Sequence, residues 1–272
     1  MRALYYSGDR TEIRGEPPEP ELAEAYAVVK MRLAGICSTD LQIIRGYMDF
    51  VGVLGHEFVG EVVAGPDALL GQRVVGEINF SCGLCGTCRS GMKRHCPDRK
   101  VLGILGADGV FAEYVRLPVA NLHRVPATVS DEEAVFVEPL AAAYRALEQT
   151  SVDSTTEVVV LGDGKLGLLC AFVFHQAGAR VTLVGRHQRK MNVARKLGVG
   201  TAGSARGLHG NRDIVIEATG TTDGLEQGLA LVRPRGALVL KSTMAAQHAL
   251  QLAPLVVNEV MVLGSRCGPF GP

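Results

Sequence analysis

A glycine-rich turn set between a β-branched strand and a helix constrains this chain more than any other feature. Glu157 to Leu161 (EVVVL) reads as a compact buried strand and runs straight into Gly162-Asp163-Gly164-Lys165-Leu166-Gly167. That G-x-G-x-x-G opens a helix expected over Lys165 to Ala177 and closed by Gly178. The alternation continues with strand Arg180–Val184, helix His187–Leu197, strand Asp213–Ala218, helix Asp223–Val232 and strand Ala237–Lys241. A last strand is expected over Glu259–Ser265. Apolar strands alternating with helices of about ten residues predict a parallel sheet covered on both faces, the doubly wound α/β arrangement. The glycines permit a tight turn, let the backbone approach a pyrophosphate and bring the helix close to the sheet. The helix N-terminus then offers N–H groups and the positive end of its dipole to phosphate. Gly162, Gly164, Lys165, Leu166 and Gly167 are therefore candidates for binding a dinucleotide.

The tip of the second strand tests which dinucleotide. A site selective for NAD places Asp or Glu there to hold the ribose 2′-hydroxyl. This chain has Val184-Gly185-Arg186-His187-Gln188-Arg189-Lys190 instead. With no carboxylate in that run, a 2′-phosphate is not repelled, and Arg186 can grip it through a charge-assisted hydrogen bond. Gly185, Arg186 and Arg189 are the candidates, and NADP is favoured over NAD. A solvated basic helix start is the plain alternative, which the helix dipole does not favour.

Ahead of this region the character differs. Up to about residue 126 the chain reads as short strands and turns, among them Tyr26–Gly35, Glu57–Gly65 and Val110–Leu117. Ser130-Asp-Glu-Glu133 is then a capping-box pattern heading a helix expected to run to about Gln149. Within the β-rich part stand Cys82, Cys85, Cys88 and Cys96, spaced C-x2-C-x2-C-x7-C. Four thiolates at this spacing suit a closed tetrahedral zinc, and nearby glycines let the backbone turn them inward. Two disulfides fit poorly, because the N-terminus MRALYYSGDR lacks the basic and apolar regions of a signal peptide. An iron–sulfur cluster is not dismissed by spacing alone.

Composition excludes other classes. The chain has 28 basic and 28 acidic side chains in 272 residues, which argues against nucleic-acid or membrane-surface binding driven by bulk charge. No apolar run reaches the length of a membrane span. The remaining cysteines are Cys37, Cys170 in an apolar helical stretch, and Cys267.

Gly35-Ile-Cys37-Ser-Thr39-Asp40 and Gly55-His56-Glu57 are unremarkable alone, since single Cys and His residues are more often packing or surface groups. With the cysteine lobe, Phe136-Val-Glu138-Pro-Leu140 and the placed glycine turn, they make the chain resemble the zinc-containing medium-chain alcohol dehydrogenase family. The resemblance covers essentially the whole chain and is strongest to the polyol, sugar and threonine dehydrogenase branch. It implies a GroES-like β-rich catalytic domain over 1–138 and a Rossmann-type domain over 139–264. Residues 265–272 would begin the return to the first domain.

The resemblance further implies two zinc ions per chain, one structural in the cysteine quartet and one catalytic. Cys37, His56 and Glu138 match the catalytic ligands, and Glu57 matches a group close to the metal, either a ligand or a neighbour of one. Asp40 would orient the histidine and Thr39 would relay the substrate proton. One thiolate, one imidazole and one carboxylate leave a tetrahedral zinc with one open position, as catalysis requires. Glu138 has a plain alternative as a cap or partner within its own helix. Gln42 stands nearest the position where relatives carry a relay histidine. The implied reaction is hydride transfer between a secondary alcohol, polyol or sugar-like, or its ketone and NADP or NAD. The implied setting is a cytoplasmic homo-oligomer, dimer or tetramer, with a small-molecule substrate.

Relatives continue for a few dozen residues beyond the position of Pro272. Apolar surface is therefore expected to be exposed, or covered by another chain. A zinc- and dinucleotide-binding protein without turnover, such as a redox sensor, and a zinc-free quinone or enoyl reductase are the competing readings. The second is opposed by Cys37, His56 and the quartet.

Overall fold

The computed structural model describes residues 1–15, 19–243 and 251–271. Residues 16–18, 244–250 and 272 fall inside the ranges assigned from sequence but lie outside the described residues. The chain divides into two compact units, Met1–Glu138 with Phe270–Pro272, and Pro139–Pro269.

The first unit is built on antiparallel strands. Its five-stranded sheet runs, in spatial order, Tyr114–Pro118, Tyr26–Gly35, Glu57–Ala64, Arg73–Gly76 and Leu122–Arg124. The first four residues of the strand Glu57–Ala64 are buried, and its Val59 and Val62 fill the interior with Val29 and Val74. Register decides where the chemistry falls. Gly35 pairs with Glu57 and Ala34 with Phe58, so the residues after one strand and those before its neighbour end at the same corner. That corner holds Cys37 and His56, which are far apart in sequence. Irregularities between Val28 and Val29 and between Met31 and Leu33 twist the long strand on its way there. A smaller sheet of Asn79–Phe80, Lys100–Leu102 and Gly106–Ala107 carries the cysteine lobe between its first two strands.

The second unit holds a six-stranded, fully parallel sheet. Its order is Gly200–Ala202, Arg180–Val184, Glu157–Leu161, Arg212–Glu217, Val232–Leu240 and Met261–Gly264. Successive strand residues feed opposite faces, as the period of two requires. Val158 and Val160 pack with Cys170, Ala171 and Phe174 from the helix Lys165–Gln176. Val159 and Leu161 pack with Leu225, Leu229 and Leu231 from the helix Thr222–Leu231. The continuous apolar runs read from sequence are the signature of strands buried on both sides.

Several elements differ from the sequence reading in their bounds. The helix expected from Ser130 to Gln149 is two, Asp131–Ala134 and Val137–Glu148. The capping box is present, with Ser130 N–H donating to Glu133 at 2.8 Å and Glu133 N–H donating to Ser130 Oγ at 3.2 Å. Pro139 interrupts the run, since its ring has no N–H and collides with the carbonyl four residues back, so the helix restarts with Pro139 in its first turn. The strand expected over Val110–Leu117 starts later and runs Tyr114–Pro118, and that expected over Glu259–Ser265 is confined to Met261–Gly264. Finally, residues 265–269 stay with the second unit, and only from Phe270 does the chain belong to the first. Phe270 packs against Val59, Val75 and Ala134, and its ring lies 5.4 Å from that of His123.

Candidate functional site

The four cysteines of the lobe come together. Sγ of Cys96 lies 3.5 Å from that of Cys82 and 3.9 Å from that of Cys85, and Cys82 and Cys88 are 3.9 Å apart. None of the four is joined in a disulfide. Four sulfurs each about 2.3 Å from a central zinc stand roughly 3.8 Å from one another along tetrahedral edges. The lobe has those dimensions without rearrangement. Thiolates spread over the several irons of a cluster stand farther apart. Backbone N–H groups of Leu84 and Cys85 lower the Cys82 thiol from its ordinary range to about 6, so this sulfur is a thiolate at neutral pH. With four sulfurs around it, such an ion has no position left for substrate.

At the corner of the five-stranded sheet a second donor set forms. The ligand atoms of Cys37, His56 and Glu57 all lie within 4.8 Å of one another. His56 is 3% exposed and Glu57 1% exposed, so both are withdrawn from water. Gly35 makes room for the carboxylate: a Cβ there would stand 2.5 Å from Glu57 Oε2. Asp40 serves two groups at once. Its Oδ2 accepts from the Cys37 backbone N–H at 2.8 Å, closing the first turn of the helix Ser38–Ile44. Its Oδ1 lies 3.3 Å from His56 Nδ1, within ion-pair distance but off the line of a hydrogen bond. With Nδ1 turned to the carboxylate, Nε2 is the nitrogen left to ligate.

The electrostatics of this corner test its fitness for a metal. Burial works to lower the His56 pKa, but Asp40 and Cys37 outweigh it and hold the imidazole well above its ordinary value. A buried imidazole that prefers a positive charge marks a pocket whose field favours a cation, proton or metal. The donor types, a sulfur, a nitrogen and a carboxylate, suit zinc. Thr39 is half-buried beside the set, its hydroxyl 3.6 Å from Cys37 Sγ. Glu138 is 8% exposed in the first turn of Val137–Glu148, but its carboxylate does not join the three donors.

In the second unit the glycine turn divides its labour. Gly162 is left-handed, with φ +108°, and a Cβ there would press on the Ala218 carbonyl at 2.6 Å. A Cβ on Gly167 would collide with the Gly162 carbonyl oxygen. Gly164 differs, because a Cβ there would meet no protein atom within 4 Å. Its bareness leaves open space at the helix N-terminus, as a phosphate cradle needs. Lys165 starts that helix, and Leu166 packs on the core below it.

The tip of Arg180–Val184 holds a group that sequence spacing missed. Asp163, from within the glycine turn, lies against Gly185 so closely that a side chain there would overlap its carboxylate. The Asp163 carboxylate accepts from the His187 backbone N–H at 2.6 Å and lies 2.9 Å from His187 Nδ1. Arg186, Arg189 and Lys190 are exposed around it. An Asp inside a glycine fingerprint could have been flagged as a cap for the next helix, but its reach to His187 is not visible in one dimension.

Comparison with known proteins settles the family. The alcohol dehydrogenase GroES-like domain matches residues 23–127, and the glucose dehydrogenase C-terminus matches residues 131–267. A sorbitol dehydrogenase of Halalkalibacterium halodurans is 32% identical, over 92% of this chain and 79% of that protein. The chain belongs to the zinc-containing medium-chain alcohol dehydrogenase family. An L-threonine 3-dehydrogenase of Streptomyces avermitilis is 34% identical, over 91% of this chain and 78% of that protein. Among solved structures, a zinc-binding dehydrogenase of Sinorhizobium meliloti bound to NADP superimposes with a TM-score of 0.88 at 28% identity. The match covers 99% of this chain and 85% of that one. This alcohol dehydrogenase family member is thus an NAD(P)-dependent oxidoreductase of the zinc type, with a GroES-like unit and a Rossmann-like unit. No described helix is long and apolar enough to cross a membrane.

Proposed function

We propose that this chain transfers hydride between a secondary alcohol, polyol or sugar-like, and NADP, with two zinc ions per chain. One ion belongs to Cys82, Cys85, Cys88 and Cys96 and clamps the lobe. The other belongs to Cys37 and His56, with Glu57 or Glu138 as the carboxylate that completes three protein ligands. The single observation that carries this reading is the buried Cys37–His56–Glu57 corner, whose field favours a positive charge.

When bound, zinc supplies Lewis acidity toward an alcohol or carbonyl oxygen and the nicotinamide ring supplies the hydride acceptor or donor. The protein's own groups do the rest. Asp40 sets a carboxylate 3.3 Å from His56 Nδ1, favouring positive charge on the ring, and anchors the turn that presents Cys37. Thr39 Oγ1, beside Cys37 Sγ, is placed to take the proton of a substrate hydroxyl and pass it outward. Gln42, an amide with no titratable proton, cannot carry an acid–base relay beyond it. Gly162, Gly164 and Gly167 admit the pyrophosphate to the helix N-terminus at Lys165 and Leu166. Gly185 makes room for Asp163 at the strand tip, and Arg186 with Arg189, exposed beside it, favours a 2′-phosphate there.

The test is a metal count together with turnover on a panel of polyols, sugars and simple secondary alcohols, each with NAD and NADP. Two zinc ions per chain and faster turnover of a polyol with NADP are expected. One zinc confined to the cysteine lobe, with no turnover, would overturn the reading.

A further inference from the structure

The chemistry above uses no group from the far half of the parallel sheet, yet a lysine is buried there. Lys241 follows directly on the strand Val232–Leu240 and is only 7% exposed. Its Nζ donates to the carbonyl of Ala142 at 2.7 Å, to the carbonyl of Arg266 at 3.1 Å and to the hydroxyl of Ser265 at 3.2 Å. Its backbone N–H donates to the Glu217 carbonyl at 2.9 Å, and Ser265 N–H donates to the Leu240 carbonyl at 3.0 Å. One residue thus joins the carboxyl ends of three neighbouring strands, Arg212–Glu217, Val232–Leu240 and Met261–Gly264, to the helix Val137–Glu148. Burying an ammonium is costly, and an aliphatic side chain would fill the same space without that cost. What the ammonium adds is geometry. It fixes the backbone directly after the last strand through two separate acceptors, Ser265 and Arg266.

The place of this junction gives it a role, on the cofactor reading made above. Ligands of parallel sheets lie outside the carboxyl ends of the strands, and a dinucleotide spans the two halves of the sheet. Its 2′-phosphate end belongs over Arg180–Val184 and its pyrophosphate over the glycine turn after Glu157–Leu161. The other mononucleotide therefore falls over Arg212–Glu217, Val232–Leu240 and Met261–Gly264, the three strand ends that Lys241 joins. We infer that Lys241 is a positioning residue for the nicotinamide end of the cofactor, holding the 265–266 backbone in the shape that receives the nicotinamide ribose and ring.

Calorimetric titration of the full chain with NADPH and with 2′-phospho-ADP-ribose, which lacks the nicotinamide, tests this. K241M should bind NADPH about tenfold more weakly or worse, as expected when charge-assisted hydrogen bonds are lost. Its affinity for 2′-phospho-ADP-ribose should be unchanged. A lysine that only supports the fold would weaken both equally, and that result, or no change in either, overturns the inference. If K241M does not fold, Ser265→Ala removes one acceptor and should show the same selectivity on a smaller scale; equal or absent losses again overturn it. Failure of the unmutated chain to bind either ligand would instead sink the cofactor reading itself, and this inference with it.

Discussion

Asp40→Asn isolates the electrostatic part of the proposed catalytic site, because asparagine keeps the size and one carbonyl oxygen of the carboxylate. That oxygen can still accept from the Cys37 N–H, now made at 2.8 Å, so the helix Ser38–Ile44 keeps its first-turn cap. The negative charge 3.3 Å from His56 Nδ1 is lost. Two opposite unit charges at that distance attract by about 5 kcal/mol at an effective dielectric of 20, the ceiling for a fully charged imidazole. An imidazole bound to a metal carries only part of a charge, so the expected loss is smaller, about 10- to 100-fold in affinity, or roughly 1.4–2.8 kcal/mol. Zinc affinity is read by competition with a chromophoric chelator, and the cysteine lobe is the internal control. One of the two ions should be extracted at 10- to 100-fold lower chelator activity while the other stays. Asp40→Ala should add a stability loss of about 1 kcal/mol, because it also removes the cap. Wild-type retention of both ions in Asp40→Asn, or equal loss of both, would show that the corner holds no metal through His56.

Further consequences concern the lobe and the cofactor cradle. Arg186→Asp should weaken NADPH binding far more than NADH binding in fluorescence titrations, because it sets a carboxylate where a 2′-phosphate is proposed; equal losses would count against NADP preference. In the metal-stripped chain the folded Cys82 pKa of about 6 lies below the ordinary thiol value, so its contribution to the lobe is present at alkaline pH and fades as pH falls through about 6. Iodoacetamide at pH 7 should therefore label Cys82 first and Cys88 last, since burial pushes the Cys88 thiol up to about 12; peptide mass mapping reads the order. Gly167→Ala should disrupt the cradle through collision with the Gly162 carbonyl oxygen, abolishing dinucleotide binding and lowering the melting temperature.

The features legible in sequence are those governed by local periodicity and fixed spacing. The strands Glu157–Leu161 and Arg180–Val184 stand where their β-branched runs placed them, because residues buried on both faces of a sheet leave a continuous apolar signal. The cysteine quartet was legible because its four donors lie within one turn-rich segment. The Cys37–His56 corner was legible only through family resemblance, since its assembly depends on the register of two strands. Lys241 was not legible at all. Nothing in its neighbourhood marks it, and its acceptors lie 24, 25 and 99 positions away. The short edge strand Gly200–Ala202 and the helix Ala253–Val257 escaped because each is too brief to show a period.

The tip of the second strand shows how a one-dimensional rule can be right in form and incomplete in substance. Counting along the chain finds no acid at residues 184–190, yet the fold carries Asp163 to that spot from the previous turn. Burial alone would raise the pKa of this carboxylate, but the backbone N–H and imidazole of His187 outweigh it and leave it below the ordinary value, so it is charged. A charged acid beside the proposed 2′-phosphate position would at first favour NAD. Its geometry argues otherwise. Both oxygens are committed to His187, at 2.6 Å to the backbone N–H and 2.9 and 3.1 Å to the ring, so neither is turned outward to take a ribose hydroxyl. The aspartate instead anchors His187, the residue directly before the helix Gln188–Lys196, and leaves Arg186 and Arg189 exposed at the rim. Arg186, Arg189 and Lys190 are the charged groups exposed at this tip, and the proposed preference for a 2′-phosphate rests on which groups face outward rather than on which residues are present.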